Sequence, residues 1–307
     1  MIQLGFLSAI FPDLTFEEVV DFAEKNHFQK IELASWPEEK ATRKYAGVSH
    51  LNVDKVIADD GYASYIKKYL SDHGVSLSAL GYYPNVMDQD LDRRSFVITH
   101  LKKVIQSAHI LGLDLVNTFI GRKQNTNLED NYKLVAKIWP DILQYAEDLH
   151  VRIGIENCPM LFTNDEWPGG QNIFYSPQTW REIFKILPTK NLGINFDPSH
   201  MVWQKMDYIA PIYEFSDKLF QIHFKDIKVL ENKLSDVGIL ATPLQFMVPK
   251  LPGLGDVDFG KFVSALTDVG YDGTGAVEME DAAFDKSLAV RKAGMLQSAH
   301  YLSQYLF

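Results

Sequence analysis

Residues 151–200 read VRIGIENCPMLFTNDEWPGGQNIFYSPQTWREIFKILPTKNLGINFDPSH. The run 151–155 is short and mostly apolar, and 192–196 repeats the pattern. Between them, residues 176–187 place apolar side chains at helical spacing. Both runs are continuous rather than alternating, as expected of parallel strands covered on both faces. Parallel neighbours need a crossover, and a helix in that crossover makes a right-handed βαβ unit.

The same alternation extends in both directions. Further strand-like runs occupy 3–10, 30–34, 75–80, 115–120, 220–224 and 274–277, which makes eight in all. The segments between them are punctuated as helices. Thr15-Phe-Glu-Glu18 forms a capping box that opens a helix toward Asn26. Gly112 stops a helix over 92–111, and 128–150 follows the same logic. A last helix over 285–306 carries Leu288, Met295, Leu296, Ala299 and Leu302 on one side. Eight strand–helix alternations in 307 residues predict an α/β protein, a (β/α)8 TIM barrel forming a single domain over 1–307. A doubly wound sheet is the rival. However, Ser8-Ala-Ile-Phe-Pro12 follows the first strand where a dinucleotide fold would carry its glycine-rich turn. Two connections are long, 35–60 after the second strand and 228–258 after the seventh. Long loops at that end of a barrel build the mouth of a site.

Composition narrows the function classes. The chain has 30 Lys+Arg against 40 Asp+Glu, a net charge of −10, which argues against non-specific nucleic-acid binding through phosphates. Its one cysteine, Cys158, excludes a disulfide framework and a cysteine-cluster zinc module. A chain this long can bury a sufficient core without either. No stretch approaches 18 consecutive apolar residues, and MIQLGFLSAIFPD lacks the basic residues of a signal or transit peptide. The expectation is a soluble, cytoplasmic protein in a reducing compartment, with an isologous dimer as the default assembly.

In a barrel, side chains just past the C-terminal ends of the strands converge on one face. The fifth strand ends in Glu156-Asn157, and the sixth in Asp197-Pro-Ser-His200. The seventh ends in His223-Phe-Lys225-Asp226, and the eighth in Glu278-Met-Glu280-Asp281. Four consecutive strands thus finish an apolar run with a carboxylate or an imidazole. Such groups are costly to bury without a metal, a partner or water. Glu156, Asp197, His223 and Glu278 form a set of three carboxylates and one imidazole. That set suits one divalent ion, Mn²⁺ first, with Mg²⁺, Co²⁺ or Zn²⁺ as rivals. Each residue alone has a plainer reading, as a helix cap, a salt-bridge partner or a packed histidine. The remaining histidines considered, His27, His73, His100, His109, His150 and His300, read as surface residues. Cys158 has no histidine near it in sequence and reads poorly as a nucleophile. Glu280 and Asp281 read as supporting or solvated groups.

The segments Ile155-Glu-Asn-Cys-Pro159, Asn195-Phe-Asp-Pro-Ser-His200, Ile222-His-Phe-Lys-Asp226 and Val277-Glu-Met-Glu-Asp281 resemble the sugar phosphate isomerase/epimerase family, the xylose-isomerase-like TIM barrels. Glu32-Leu-Ala34 and Tyr82-Tyr-Pro-Asn85 resemble it too, so the likeness covers nearly the whole chain. The resemblance implies that Glu156, Asp197, His223 and Glu278 bind the metal and that His200 and Lys225 face substrate. The three-zinc apurinic-site endonucleases share the barrel but carry further histidines at earlier strand ends and a later Asp-x-His pair. Here the third and fourth strands end in Leu80-Gly-Tyr-Tyr83 and Phe119-Ile-Gly121, and no Asp-x-His lies between Asp226 and Glu278.

The expected activity is divalent-metal-dependent sugar isomerisation or epimerisation, by proton transfer alpha to a carbonyl through a metal-stabilised enediolate. Glu156 and Glu278 would be the acid/base pair. His200 and Lys225 would donate to substrate oxygens. Trp203, with Trp36, Tyr82, Phe119 and Trp167, would stand near the mouth against sugar C–H surfaces. The partner is a small carbohydrate, with no nucleic acid and no membrane. "Sugar phosphate" in the family's label is no evidence of a phosphate here, because no glycine-rich phosphate loop is apparent. A second reading uses the same groups for β-elimination from an oxidised sugar, either a 3-oxo-glycoside or an inosose. A third keeps the barrel as a non-catalytic sugar binder.

Overall fold

In a computed structural model, residues 1–37, 46–161 and 169–306 are described. Their strands are β1 (Gln3–Leu7), β2 (Lys30–Ala34), β3 (Ser76–Gly81), β4 (Leu115–Thr118), β5 (Arg152–Glu156), β6 (Leu192–Phe196), β7 (Leu219–Phe224), β8 (Asp226–Val229), β9 (Met247–Lys250) and β10 (Thr274–Val277). Strands β1 to β7 pair in sequence order, and β10 closes the ring between β7 and β1. All eight ring pairings are parallel. The predicted (β/α)8 barrel is the observed fold. No helix among the described residues is long and apolar enough to cross a membrane.

Local chemistry sets the helix ends. Thr15 accepts from the Glu18 N–H at 3.3 Å, and the Glu18 carboxylate accepts from the Thr15 N–H at 2.9 Å, closing the predicted capping box. The helix Leu91–Leu111 stops at Gly112, which takes φ +80° and satisfies the last carbonyls from a left-handed conformation that only glycine adopts freely. The outer shell is aromatic in places. Phe6 on β1 meets Phe11, Phe22 and Phe28 at centroid distances of 5.8, 5.8 and 5.0 Å.

Inside the barrel lies a polar layer. Glu32, Asn117, Asn195, Gln221 and His223 are all fully buried there. Room for it is made by small residues on neighbouring strands. A Cβ on Gly81 would sit 2.6 Å from Glu32 Oε1, so β3 must present glycine at that point.

Several boundaries differ from the sequence reading. β1 ends at Leu7, and residues 8–10 turn into a 3₁₀ helix. The final helix runs Leu288–Ser303, after a separate turn at Ala282–Phe284. The connection 35–60 lies outside the described residues at 38–45 and contains a helix at Val53–Ala58. The connection 228–258 is no plain loop. It belongs largely to an antiparallel hairpin of β8 and β9, with Asp226 opposite Lys250 and Val229 opposite Met247. The Asp226 carboxylate ties this hairpin down, accepting from the N–H groups of Ile227, Gly253, Gly255 and Val257 at 2.8–3.0 Å. Trp203, Ile227, Val229 and Phe246 form a small apolar core of its own beneath it. Of the histidines read as surface residues, His100 is instead buried, its Nε2 2.9 Å from the Ser35 carbonyl.

Candidate metal centre

The C-terminal ends of β5, β7 and β10 bring Glu156, His223 and Glu278 together. One ligand atom from each lies within 4.8 Å of the other two. His223 Nδ1 is 3.2 Å from Glu278 Oε2 and 3.7 Å from Glu156 Oε1. The opposite ring nitrogen, Nε2, is 2.8 Å from Glu32 Oε2. A carboxylate can only accept, so Nε2 carries a proton and donates it. Nδ1 then turns a lone pair toward two further carboxylates. That arrangement is repulsive unless a cation or a second proton lies between them.

The hydrogen-bond pattern points the same way. Glu156 Oε1, His223 Nδ1, Glu278 Oε2 and Asp197 Oδ2 are buried without a hydrogen-bond partner, and such orphaned groups are rare in a folded core. Donor atoms that share one ion at about 2.0–2.2 Å lie roughly 3 Å apart, close to the separations at Nδ1. Nitrogen with carboxylate oxygen is the donor set of Mn²⁺, Co²⁺ or Zn²⁺. The residues therefore fit a divalent cation. Without one, the charges balance through protons. Burial works against the His223 imidazolium, but Glu32, Glu156 and Glu278 outweigh it and hold the ring well above its ordinary pKa. Burial likewise raises Glu156, but His200 and His223 reverse this and leave its carboxyl far below the usual range.

Asp197, the fourth expected ligand, stands apart from that triad. Its Oδ1 accepts from the Ser199 N–H at 2.8 Å, and its Oδ2 lies 3.1 Å from His200 Nε2. The same His200 nitrogen is 3.6 Å from Glu156 Oε1, so the imidazole sits between the two carboxylates. His200 also lies with Glu156 and Cys158 in a second cluster whose ligand atoms are within 4.8 Å of one another. Sequence distance had separated Cys158 from any histidine, and the fold removes that separation. Burial pushes the thiol up, which keeps it protonated and a poor nucleophile. Lys225 Nζ is held between Glu278 Oε1 at 3.2 Å and Glu280 Oε2 at 2.7 Å. Burial opposes its charge, and these carboxylates more than restore it.

Glu156, Cys158, His200, Lys225, Glu278 and Glu280 form the floor of a cavity of about 360 Å³, with His223 and Asp197 fully buried beside them. Trp36, Phe119 and Trp203 line it as expected. Tyr82 does not. It is fully buried against Trp36 and His100, and its neighbour Tyr83 faces the cavity instead. Trp167 lies outside the described residues.

The residue that sequence reasoning gave no role is Glu32. Besides His223, its carboxylate accepts from Tyr83, Gln221 and Asn117. A charge in the middle of the apolar run Lys30-Ile-Glu-Leu-Ala was the available signal. Because Glu32 fixes the His223 tautomer, Glu32→Gln should weaken divalent-metal affinity by roughly 10–100-fold. Metal titration by calorimetry at constant pH checks this, and unchanged affinity would leave Glu32 a packing residue only.

Comparison with known proteins agrees with the fold. The family model for the xylose isomerase-like TIM barrel matches residues 20–304. The chain belongs to that family. It is 23% identical to the uncharacterized protein YfiH of Bacillus subtilis, over 94% of this chain and 96% of that protein. It is 26% identical to an inosose dehydratase of Geobacillus thermodenitrificans, over 39% of this chain and 49% of that one. Among solved structures, the IOLI protein with a bound zinc atom superposes with a TM-score of 0.73 at 18% identity, covering 99% of both chains. D-psicose 3-epimerase, solved with D-fructose, superposes with a TM-score of 0.71 at 14% identity, again over 99% of both. The xylose isomerase-like barrel is thus the setting in which epimerases and a dehydratase resemble this chain.

Proposed function

We propose that this protein is a divalent-metal-dependent carbohydrate isomerase or epimerase that transfers a proton at the carbon alpha to a carbonyl. The observation that carries the reading is the pair of unpartnered carboxylate oxygens, Glu156 Oε1 and Glu278 Oε2, on either side of His223 Nδ1 at a cavity floor. Glu156, His223 and Glu278 would hold the cation, Mn²⁺ first, and Asp197 would complete the set once His200 turns to substrate. Bound there, the cation supplies Lewis-acid polarisation of the substrate carbonyl, which acidifies the neighbouring C–H.

The chain's own groups do the rest. One of Glu156 and Glu278 takes the proton and the other returns one, to the opposite face or to the adjacent carbon. Lys225, held against Glu278 and Glu280, donates to substrate oxygen from a fixed position. His200 does the same from beside Asp197. Phe119 and Trp203 shield the floor from water.

The similarity to inosose dehydratase supports a second reading, in which the same proton abstraction is followed by loss of a leaving group at the β carbon. Incubation of Mn²⁺-loaded protein with a panel of ketoses and oxidised sugars in deuterated buffer decides between them. The proposed isomerase gives a product of unchanged carbon skeleton carrying one deuterium alpha to the carbonyl. Loss of water or of an aglycone instead would assign the lyase. Substrate binding without any deuterium uptake would remove both.

A further inference from the structure

The polar groups of the cavity are clustered. Glu156, Cys158, His200, Lys225, Glu278 and Glu280 contact one another at the floor, and the Tyr83 hydroxyl is turned to Glu32. Among the described residues, the walls above them are apolar or aromatic, with Trp36, Leu161, Trp203, Leu244, Met247 and Pro249 the chief members. Leu244 is 45% exposed, and Met247 and Pro249 are half-buried. Contiguous apolar side chains at a cavity mouth are the kind of patch that forms a ligand-binding groove. This wall is also built rather than accidental. Ile227, Met247 and Pro249 belong to the hairpin β8–β9, which Asp226 clamps through four backbone N–H groups.

An unsubstituted monosaccharide carries an oxygen on nearly every carbon. Any hydroxyl pressed on such a wall loses water without gaining a partner, which is unfavourable. The floor can satisfy only the oxygens that reach it. A cavity of this volume is also in the range of roughly 300–1,000 Å³ that encloses ligands of drug size. We propose that the substrate is a carbohydrate bearing an apolar, ring-sized substituent. Its oxygenated part reaches the floor, and its substituent lies against Trp203, Leu244, Met247 and Pro249. This rests on reading the floor as the reacting end.

The test separates the two ideas by using binding for one and exchange for the other. Mn²⁺-loaded protein is titrated with phenyl and methyl β-glucosides, which are unreactive. Deuterium uptake is then followed with their 3-oxo derivatives. Phenyl should bind at least about tenfold more tightly than methyl, about 1.4 kcal/mol. The substitutions Leu244→Gln and Met247→Gln should together bring that ratio to within about threefold. Leu244→Gln alone, at a half-exposed position, should at least halve it and guards against misfolding of the double variant. Equal affinity for the two glucosides, or a phenyl preference unmoved by the substitutions, would overturn the proposal. A phenyl preference that collapses in the variants while neither 3-oxo sugar takes up deuterium would support the wall assignment and sink the proton-transfer reading of the floor.

Discussion

Glu156→Gln and Glu278→Gln should each lower turnover by about 10²–10⁴-fold, the range for loss of a positioned acid or base. Glutamine keeps the shape of the side chain and removes the charge and the basicity. The two substitutions should still differ in detail. Glu278 Oε1 also holds Lys225, so its loss frees that ammonium toward Glu280. Glu156 Oε1 faces both His200 and His223, so its loss removes a carboxylate from two imidazoles at once. On the proposed reading each variant also weakens a metal ligand, and therefore metal content must be measured beside activity. Excess Mn²⁺ should restore occupancy without restoring rate. Wild-type turnover in either variant at full occupancy would remove that residue from the acid/base pair.

Phe6→Ala should cost about 3–5 kcal/mol of folding stability, the usual range for truncating a fully buried phenylalanine. Phe6 has no exposed surface and touches three rings that tie β1 to its following helix and turn. The loss is therefore a cavity between β1 and the helix Phe16–Lys25 that covers it. Domains of ordinary stability have about 5–15 kcal/mol in hand, so the variant should unfold at distinctly lower urea. A shift below about 1 kcal/mol would mean that the surrounding phenylalanines collapse into the space.

The barrel was legible because its strands are continuous apolar runs with good helix punctuation between them. Thr15, Glu18 and Gly112 do at the helix ends what their residue types imply. Three of the four expected metal ligands meet because strand ends in a parallel barrel converge whatever fills the loops. The fourth, Asp197, stands just past the end of β6 and outside their cluster. Sequence could not show that His200, three residues on, would turn back onto it. Glu32 escaped notice because a period-free buried run does not say which side chains point into the ring. The hairpin was hidden for another reason. β8 and β9 pair antiparallel across an intervening helix, Glu231–Val237, and each strand is only four residues long, too short for its pattern to announce a partner. Tyr82 and Tyr83 are adjacent and point opposite ways, so sequence alone chose the wrong one for the cavity.

The ladder hydrogen bonds of β8 and β9 are spent on each other and not on the barrel. The hairpin segment is joined to its host by two chain crossings, by the packing of Trp203 on Ile227, Val229 and Phe246, and by ion pairs from Lys205 to Glu231 and from Lys250 to Asp281. None of those ties involves Glu156, His223 or Glu278 themselves. On the proposed reading, the wall that would recognise substrate and the floor that would react with it come from different segments of the chain, and exchanging the hairpin alone is the way to ask whether the two can be altered one at a time.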